Sequence, residues 1–298
     1  MTTTTGAGAA TSTPTGQARP RTSWFSLDGP SGLLEPGPLR QPGPLRQPGP
    51  HGQPGPVARR LDGRPPVLGA LAVGVAGYAA LLALLTGLGT LLTGVLVDGP
   101  LDRWDDDVVR WFAEHRGEPW DTVTRYGSGL ADTPVVIFLG SAFATFAILR
   151  RWAQGAVLLA VSLFTEVTVF LTTVALVPRD RPAVPKLDQV PPTSSFPSGH
   201  TAASIALYAS LGVIACAFVR PALPCRLVAA LFALVPVTVG LSRVYRGMHY
   251  PTDVLAGLLL GLGALLAGVL AARTALLLAR SRARGGGAGG EASTGAAP

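Results

Sequence analysis

The chain has 298 residues, of which 48% are hydrophobic and 14% charged, with a mean hydropathy of +0.40. A soluble domain carries about 25% charged residues, so the composition places the chain in a membrane. The formal net charge of +7 is not gathered on a basic face with aromatic or helical readers, so no nucleic-acid partner is expected.

Residues 1–65 form a polar tail rich in Thr, Gly and Pro, with a short repeat, LRQPGPLRQPGPHGQPGP, from Leu39 to Pro56. Such sequence cannot bury a core and is expected to be disordered, with polyproline II character. No charged-then-apolar segment occurs in the first thirty residues, so a signal peptide is not expected. Residues 280–298, RSRARGGGAGGEASTGAAP, read as a second disordered, basic and Gly-rich tail. Between the tails lie apolar runs near 68–97, 134–149, 153–177, 201–219, 226–242 and 253–279. A span takes about 20 residues, so residues 66–279 read as a six-helix membrane bundle, all-α. Pro221, Pro224 and Pro236 interrupt the fourth and fifth runs; neighbouring helices can satisfy a carbonyl freed by proline. Cys216 and Cys225 have no metal-ligand company and read as ordinary unpaired thiols.

Orientation follows from the arginines. Arg59, Arg60 and Arg64 precede the first run, Arg150 and Arg151 follow the second, Arg220 and Arg226 flank the turn after the fourth, and Arg280, Arg282 and Arg284 follow the sixth. With an even number of spans all four groups fall on one side, which predicts cytoplasmic termini. Three loops, about 98–133, 178–200 and 243–252, then face outward. In the first, Leu101, Trp104, Val108, Trp111 and Phe112 recur at helical spacing, with Asp105, Asp106, Asp107 and Glu114 on the other face. This predicts an amphipathic helix lying at the membrane surface.

The other two loops carry arginines on the side where topology disfavours them. Arg179, Arg181, Arg243 and Arg246 therefore suggest an anionic ligand. In SSFPSGHT (Ser194–Thr201), a helix starting near Gly199 leaves unpaired amides and a positive dipole end. Gly199 lets an oxyanion approach the backbone, Ser198 can cap the helix or donate to a phosphate oxygen, and His200 sits at the mouth. In SRVYRGMHYPTD (Ser242–Asp253), His249 and Asp253 are four residues apart. A carboxylate on one imidazole nitrogen leaves the other free to attack. No carboxylate cluster with metal-ligand spacing is visible, so no cofactor and no metal are expected. Glu166, in the middle of the third run, is expected to face the bundle interior, paired or neutral. Tyr245, Arg246 and Tyr250 read as lining or interface residues.

The set Arg181-Pro182, PSGH at 197–200 and SRVYRGMHYPTD at 242–253 resembles the type-two phosphatidic acid phosphatase family. That family also takes in undecaprenyl-diphosphate phosphatases and vanadium haloperoxidases. The resemblance covers about 70–275. It implies His249 as nucleophile forming a phosphohistidine, Asp253 as its support, and His200 as general acid and then base. It also implies that Arg181, Arg243, Ser198 and the Gly199 amide hold the phosphate oxygens. The family's first motif begins with a lysine seven residues before its arginine; here Val174 stands there, with Arg179 or Lys186 as candidate compensating cations. The function implied is hydrolysis of a lipid phosphomonoester or diphosphate (phosphatidic acid, phosphatidylglycerol phosphate or a polyprenyl diphosphate) at the outer membrane face. A lipid phosphotransferase, or a low-activity lipid-phosphate binder because of Val174, is the alternative. The oligomeric state cannot be read from the sequence.

Overall fold

The computed structural model describes residues 65–218 and 222–291, and among these all regular structure is helical. Helix α1 (Pro66–Thr90) ends in a π-helical turn, Leu91–Val95. Two shorter helices follow, α2 (Pro100–Glu114) and α3 (Trp120–Gly129), then α4 (Thr133–Leu149) and α5 (Ala153–Leu176). Helix α6 is continuous through Gly199–Ser204, a π turn at Ile205–Ala209, and Ser210–Phe218. Helices α7 (Ala222–Tyr245) and α8 (Pro251–Glu291) complete the chain.

Proline marks several helix starts. It occupies one of the first two helical positions of α1, α2 and α4, and Pro251 opens α8. The missing N–H of proline costs nothing there, and its fixed φ suits a first turn. Pro236 does not break α7, which runs through it.

Among the described residues five helices are long and apolar enough to cross a bilayer, and the pair α3–α4, bent by 44°, makes up to six. The protein is thus a multi-pass membrane protein, an all-α bundle. The sixth span, expected to end at 279, belongs to a helix that continues to Glu291. The N-terminal tail and its Pro-rich repeat lie outside the described residues.

Helix α8 is the spine of the bundle. Small residues let neighbours approach it closely, the usual device where lipid removes the hydrophobic drive between helices. A Cβ on Gly263 would lie 2.3 Å from Leu81 of α1, and one on Gly268 would lie 2.5 Å from the Leu158 carbonyl of α5. The main core joins Leu81 and Leu85 of α1, Val169 of α5, Phe196, Ala202 of α6, and Ala256 and Leu260 of α8. Outward, residues such as Leu84, Phe164, Leu231 and Leu266 are exposed, as a lipid-facing surface requires.

The loop 98–133 is helical: the expected amphipathic helix over Leu101–Glu114 is α2, Pro100–Glu114, and α3 follows it. Asp105 and Val109 are buried, while Trp104 and Trp111 are half exposed. Phe112 packs edge-on against Tyr245 of α7, with ring centroids 5.9 Å apart. Asp105, expected on the solvated face, is instead completely buried.

Candidate active site

Three segments converge at one end of the bundle: loop 177–198, the start of α6, and the turn between α7 and α8. Helix α8 holds the start of α6 in place. The Ser198 amide donates to the Asp253 carbonyl at 2.9 Å. A Cβ on Gly257 would sit 2.5 Å from the Ser198 carbonyl, so only glycine lets the two backbones meet. The turn after α7 uses Gly247 at φ 72°, a left-handed conformation that other residues rarely adopt.

His249 is 4% exposed. Its Nδ1 lies 2.7 Å from the Ser195 carbonyl oxygen. A carbonyl only accepts, so Nδ1 carries the proton and Nε2 holds the lone pair. Arg181 Nη1 is 3.4 Å from that Nε2 and donates to the Met248 carbonyl at 2.8 Å. Asp253 Oδ2 is 3.6 Å from His249 Nδ1, which is charge support and not a hydrogen bond. The tautomer, expected from the Asp253 carboxylate, is therefore set by a backbone carbonyl. Asp253 Oδ2 accepts from the Tyr250 amide at 3.0 Å.

Burial pushes the His249 pKa below the ordinary histidine value, and the nearby Asp253 carboxylate does not offset it. Histidines in the unfolded chain take up a proton near pH 6.5, while the folded His249 resists it. The unfolded state then binds more protons, so stability contributed by this group is present above about pH 6.5 and is lost as pH falls below it. Thermal unfolding in detergent should show a lower midpoint at pH 5 than at pH 7.5, and the gap should shrink in His249→Gln. An equal gap in that variant would assign the effect to other groups.

His200 Nε2 lies 3.2 Å from Asp132 Oδ1. Asp132 occupies the position before α4, yet makes no cap bond with its side chain; it reaches across to the imidazole. Sequence reasoning missed Asp132, since an Asp ahead of Thr-Pro reads as a helix cap. Arg243 donates to Ser128 Oγ at 2.9 Å and to Asp188 Oδ2 at 3.1 Å. Asp188 also takes a fork of bonds from Arg246 at 2.7–2.9 Å. Burial alone would raise the Asp188 pKa, but the bonds and charges of Arg246 and Arg243 hold it below the usual carboxylate value. Arg246 also bonds the Leu187 and Asp121 carbonyls, and Tyr245 bonds Asp121. These two residues clamp the loop, α3 and α7 together.

A cavity of about 830 Å3 opens beside these groups. Arg181, Gly199, His200, Arg243 and His249 line its polar end; its longer part runs between α4 and α5 past Val136, Gly140, Leu159 and Phe164. Two guanidinium groups, a lone-pair nitrogen and a second imidazole thus face one space. Such a set can hold a tetrahedral anion and attack it.

Other expected residues stand elsewhere. The Ser198 side chain is fully buried and pairs with Thr201 Oγ1 at 3.0 Å, away from the cavity. Neither Arg179 nor Lys186 lines the cavity. Arg179 is wedged between Asp253 Oδ1 and Asp105 Oδ2, the latter at 2.8 Å, and lies 4.5 Å from the centre of the Tyr250 ring. Burial works against its charge, yet the two carboxylates outweigh that and raise its pKa. Asp105 also accepts from the Thr252 amide at 3.0 Å and from its hydroxyl. Arg179 is thus placed as a strut behind Asp253, outside the cavity.

The fold and the cavity define a class: a multi-pass helical membrane protein with a paired-histidine, paired-arginine pocket at one end of its bundle. Residues 152–276 match the sequence model of the PAP2 superfamily. The transmembrane PAP2-type phosphatidylglycerolphosphate phosphatase from Bacillus subtilis shares the fold, with TM-score 0.52 and 22% identity over 65% of this chain and 93% of that one. Aquifex aeolicus LpxE superposes with TM-score 0.44 and 20% identity, over 55% of this chain and 92% of that one. No curated protein matches the chain.

Proposed function

We propose that the protein is a lipid phosphate phosphatase working through a phosphohistidine. The observation that carries this reading is the His249 imidazole. Its Nδ1 donates to Ser195, and its Nε2 lies in a cavity shared with Arg181, Arg243 and His200. The apolar remainder of that cavity suits an acyl or prenyl chain whose headgroup enters the polar end.

In the first step, Nε2 of His249 attacks phosphorus and an N–P bond forms. The bond from phosphorus to the lipid oxygen breaks, and His200 gives that oxygen its proton. Arg181, Arg243 and the Gly199 amide carry the charge on the non-bridging oxygens. Asp253 steadies the imidazolium as it forms. In the second step, His200 takes a proton from water, the water oxygen attacks phosphorus, and the N–P bond breaks to release phosphate. The residues supply both steps without a metal. The arginine distribution supports a site on the outer face with both termini in the cytoplasm.

The test is a rapid-quench experiment with a radiolabelled lipid phosphate in detergent, EDTA present. The expected result is label on the protein that survives alkali and is lost in acid, as a phosphoramidate behaves, followed by release of inorganic phosphate. Label passed to an added alcohol in preference to water would make the protein a phosphotransferase. Lipid binding with no labelled protein and no phosphate released would overturn the reading.

A further inference from the structure

Glu166 lines the same cavity, yet the mechanism does not use it. It lies in α5 and is 5% exposed, and no described residue offers it a hydrogen bond or an ion pair. The groove it faces is mostly apolar, lined by Leu163, Val167 and Phe170 on its own helix and by Ile137 and Gly140 on α4, with Ser141 a polar residue on that helix. An acidic side chain at membrane depth is costly unless something partners it. Packing does not account for it, because leucine would fill the same volume at no such cost. A polar group on whatever enters the groove can supply that partner.

Its depth narrows what that partner is. Phe170, one turn above Glu166 on α5, lines the cavity, and its ring is 2.7 Å from where a Cβ on Gly199 would stand. Glu166, four residues before Phe170, thus sits about 6 Å of helix rise below the level of the phosphate end. In a glycerolipid phosphate, the ester oxygens lie a few bonds from phosphorus, at the depth of this carboxyl. In a polyprenyl phosphate, everything beyond the phosphate oxygen is hydrocarbon. A carboxyl donates to an ester carbonyl when protonated, accepts from a hydroxyl or amide when ionised, and has no partner on a prenyl chain.

We infer that Glu166 is a specificity-determining residue that hydrogen-bonds the oxygen-bearing backbone of a glycerolipid phosphate and disfavours polyprenyl phosphates. This rests on the phosphatase reading above. The test compares kcat/KM for dioleoyl phosphatidic acid and for a polyprenyl monophosphate in wild type, Glu166→Gln and Glu166→Leu. The wild type should prefer phosphatidic acid. Glu166→Leu should lower the ratio about tenfold, the worth of one hydrogen bond in a dry site, and Glu166→Gln should keep most of it. An unchanged ratio in the leucine variant, or an equal loss on both lipids, overturns the inference. Thermal stabilisation by each lipid is measured on the same three proteins, and the same order of preference is expected there. That readout separates two failures: a wild type that binds phosphatidic acid selectively but releases no phosphate sinks the hydrolase reading alone. A wild type that binds both lipids alike sinks the role of Glu166.

Discussion

His249→Ala should lower phosphate release from lipid phosphates by about 10⁴-fold or more, the scale seen when a covalent nucleophile is removed. The loss should fall on kcat, with lipid binding retained, because Arg181 and Arg243 still line the cavity. Folding should suffer less. The variant leaves the Ser195 carbonyl without its donor, at a cost of about 1–3 kcal/mol. Thermal unfolding of both proteins in the same detergent controls for that. Retention of about a tenth of the wild-type rate would be incompatible with a phosphohistidine at this position.

Arg179→Met should produce the largest loss of stability of any substitution near the site. Its guanidinium bridges Asp105 and Asp253, both 0% exposed. Removing one partner of a buried ion pair costs about 3–5 kcal/mol, because the charge left behind is uncompensated. Here two carboxylates are left, and one of them supports His249. The expected outcome is a markedly lower unfolding midpoint together with a fall in kcat. A phosphate-binding cation would behave differently: KM would rise and the midpoint would hold. That second pattern would return Arg179 to the role of the absent lysine at position 174 and remove it as a strut.

Arg179 also shows where a single sequence stops informing. The membrane spans were legible because burial in lipid demands long apolar runs, and the arginines between them are sparse enough to read. The histidines at 200 and 249 and the arginines at 181 and 243 were legible because they sit in short motifs, and the structure brings them to one cavity. What orients them was not. Ser195 acts through its backbone carbonyl, which every residue possesses. Asp105 stands in a run of three aspartates on an amphipathic pattern, where periodicity assigns it to solvent; its burial depends on Thr252 and Arg179, about 75–150 residues away along the chain. Asp132 reads as a helix cap and serves as a partner for His200. Ser198 fits a phosphate contact by type and spacing, yet its hydroxyl turns to Thr201. For Ser195, Asp105 and Asp132 the deciding contact is long-range or backbone-mediated, and pattern carries no information about it; for Ser198 it is a local hydroxyl pair that competes with the cap and phosphate roles.

The groove between α4 and α5 has exposed apolar edges at Ile137 and Phe164. A ligand arriving there comes from the hydrocarbon phase and never crosses bulk water. What sets occupancy is then its mole fraction in the leaflet, a surface density. Adding inert lipid or detergent at fixed total substrate dilutes that density and slows turnover, and adding buffer does not. An affinity quoted in molar units would change with every bilayer composition, while one quoted per lipid would not.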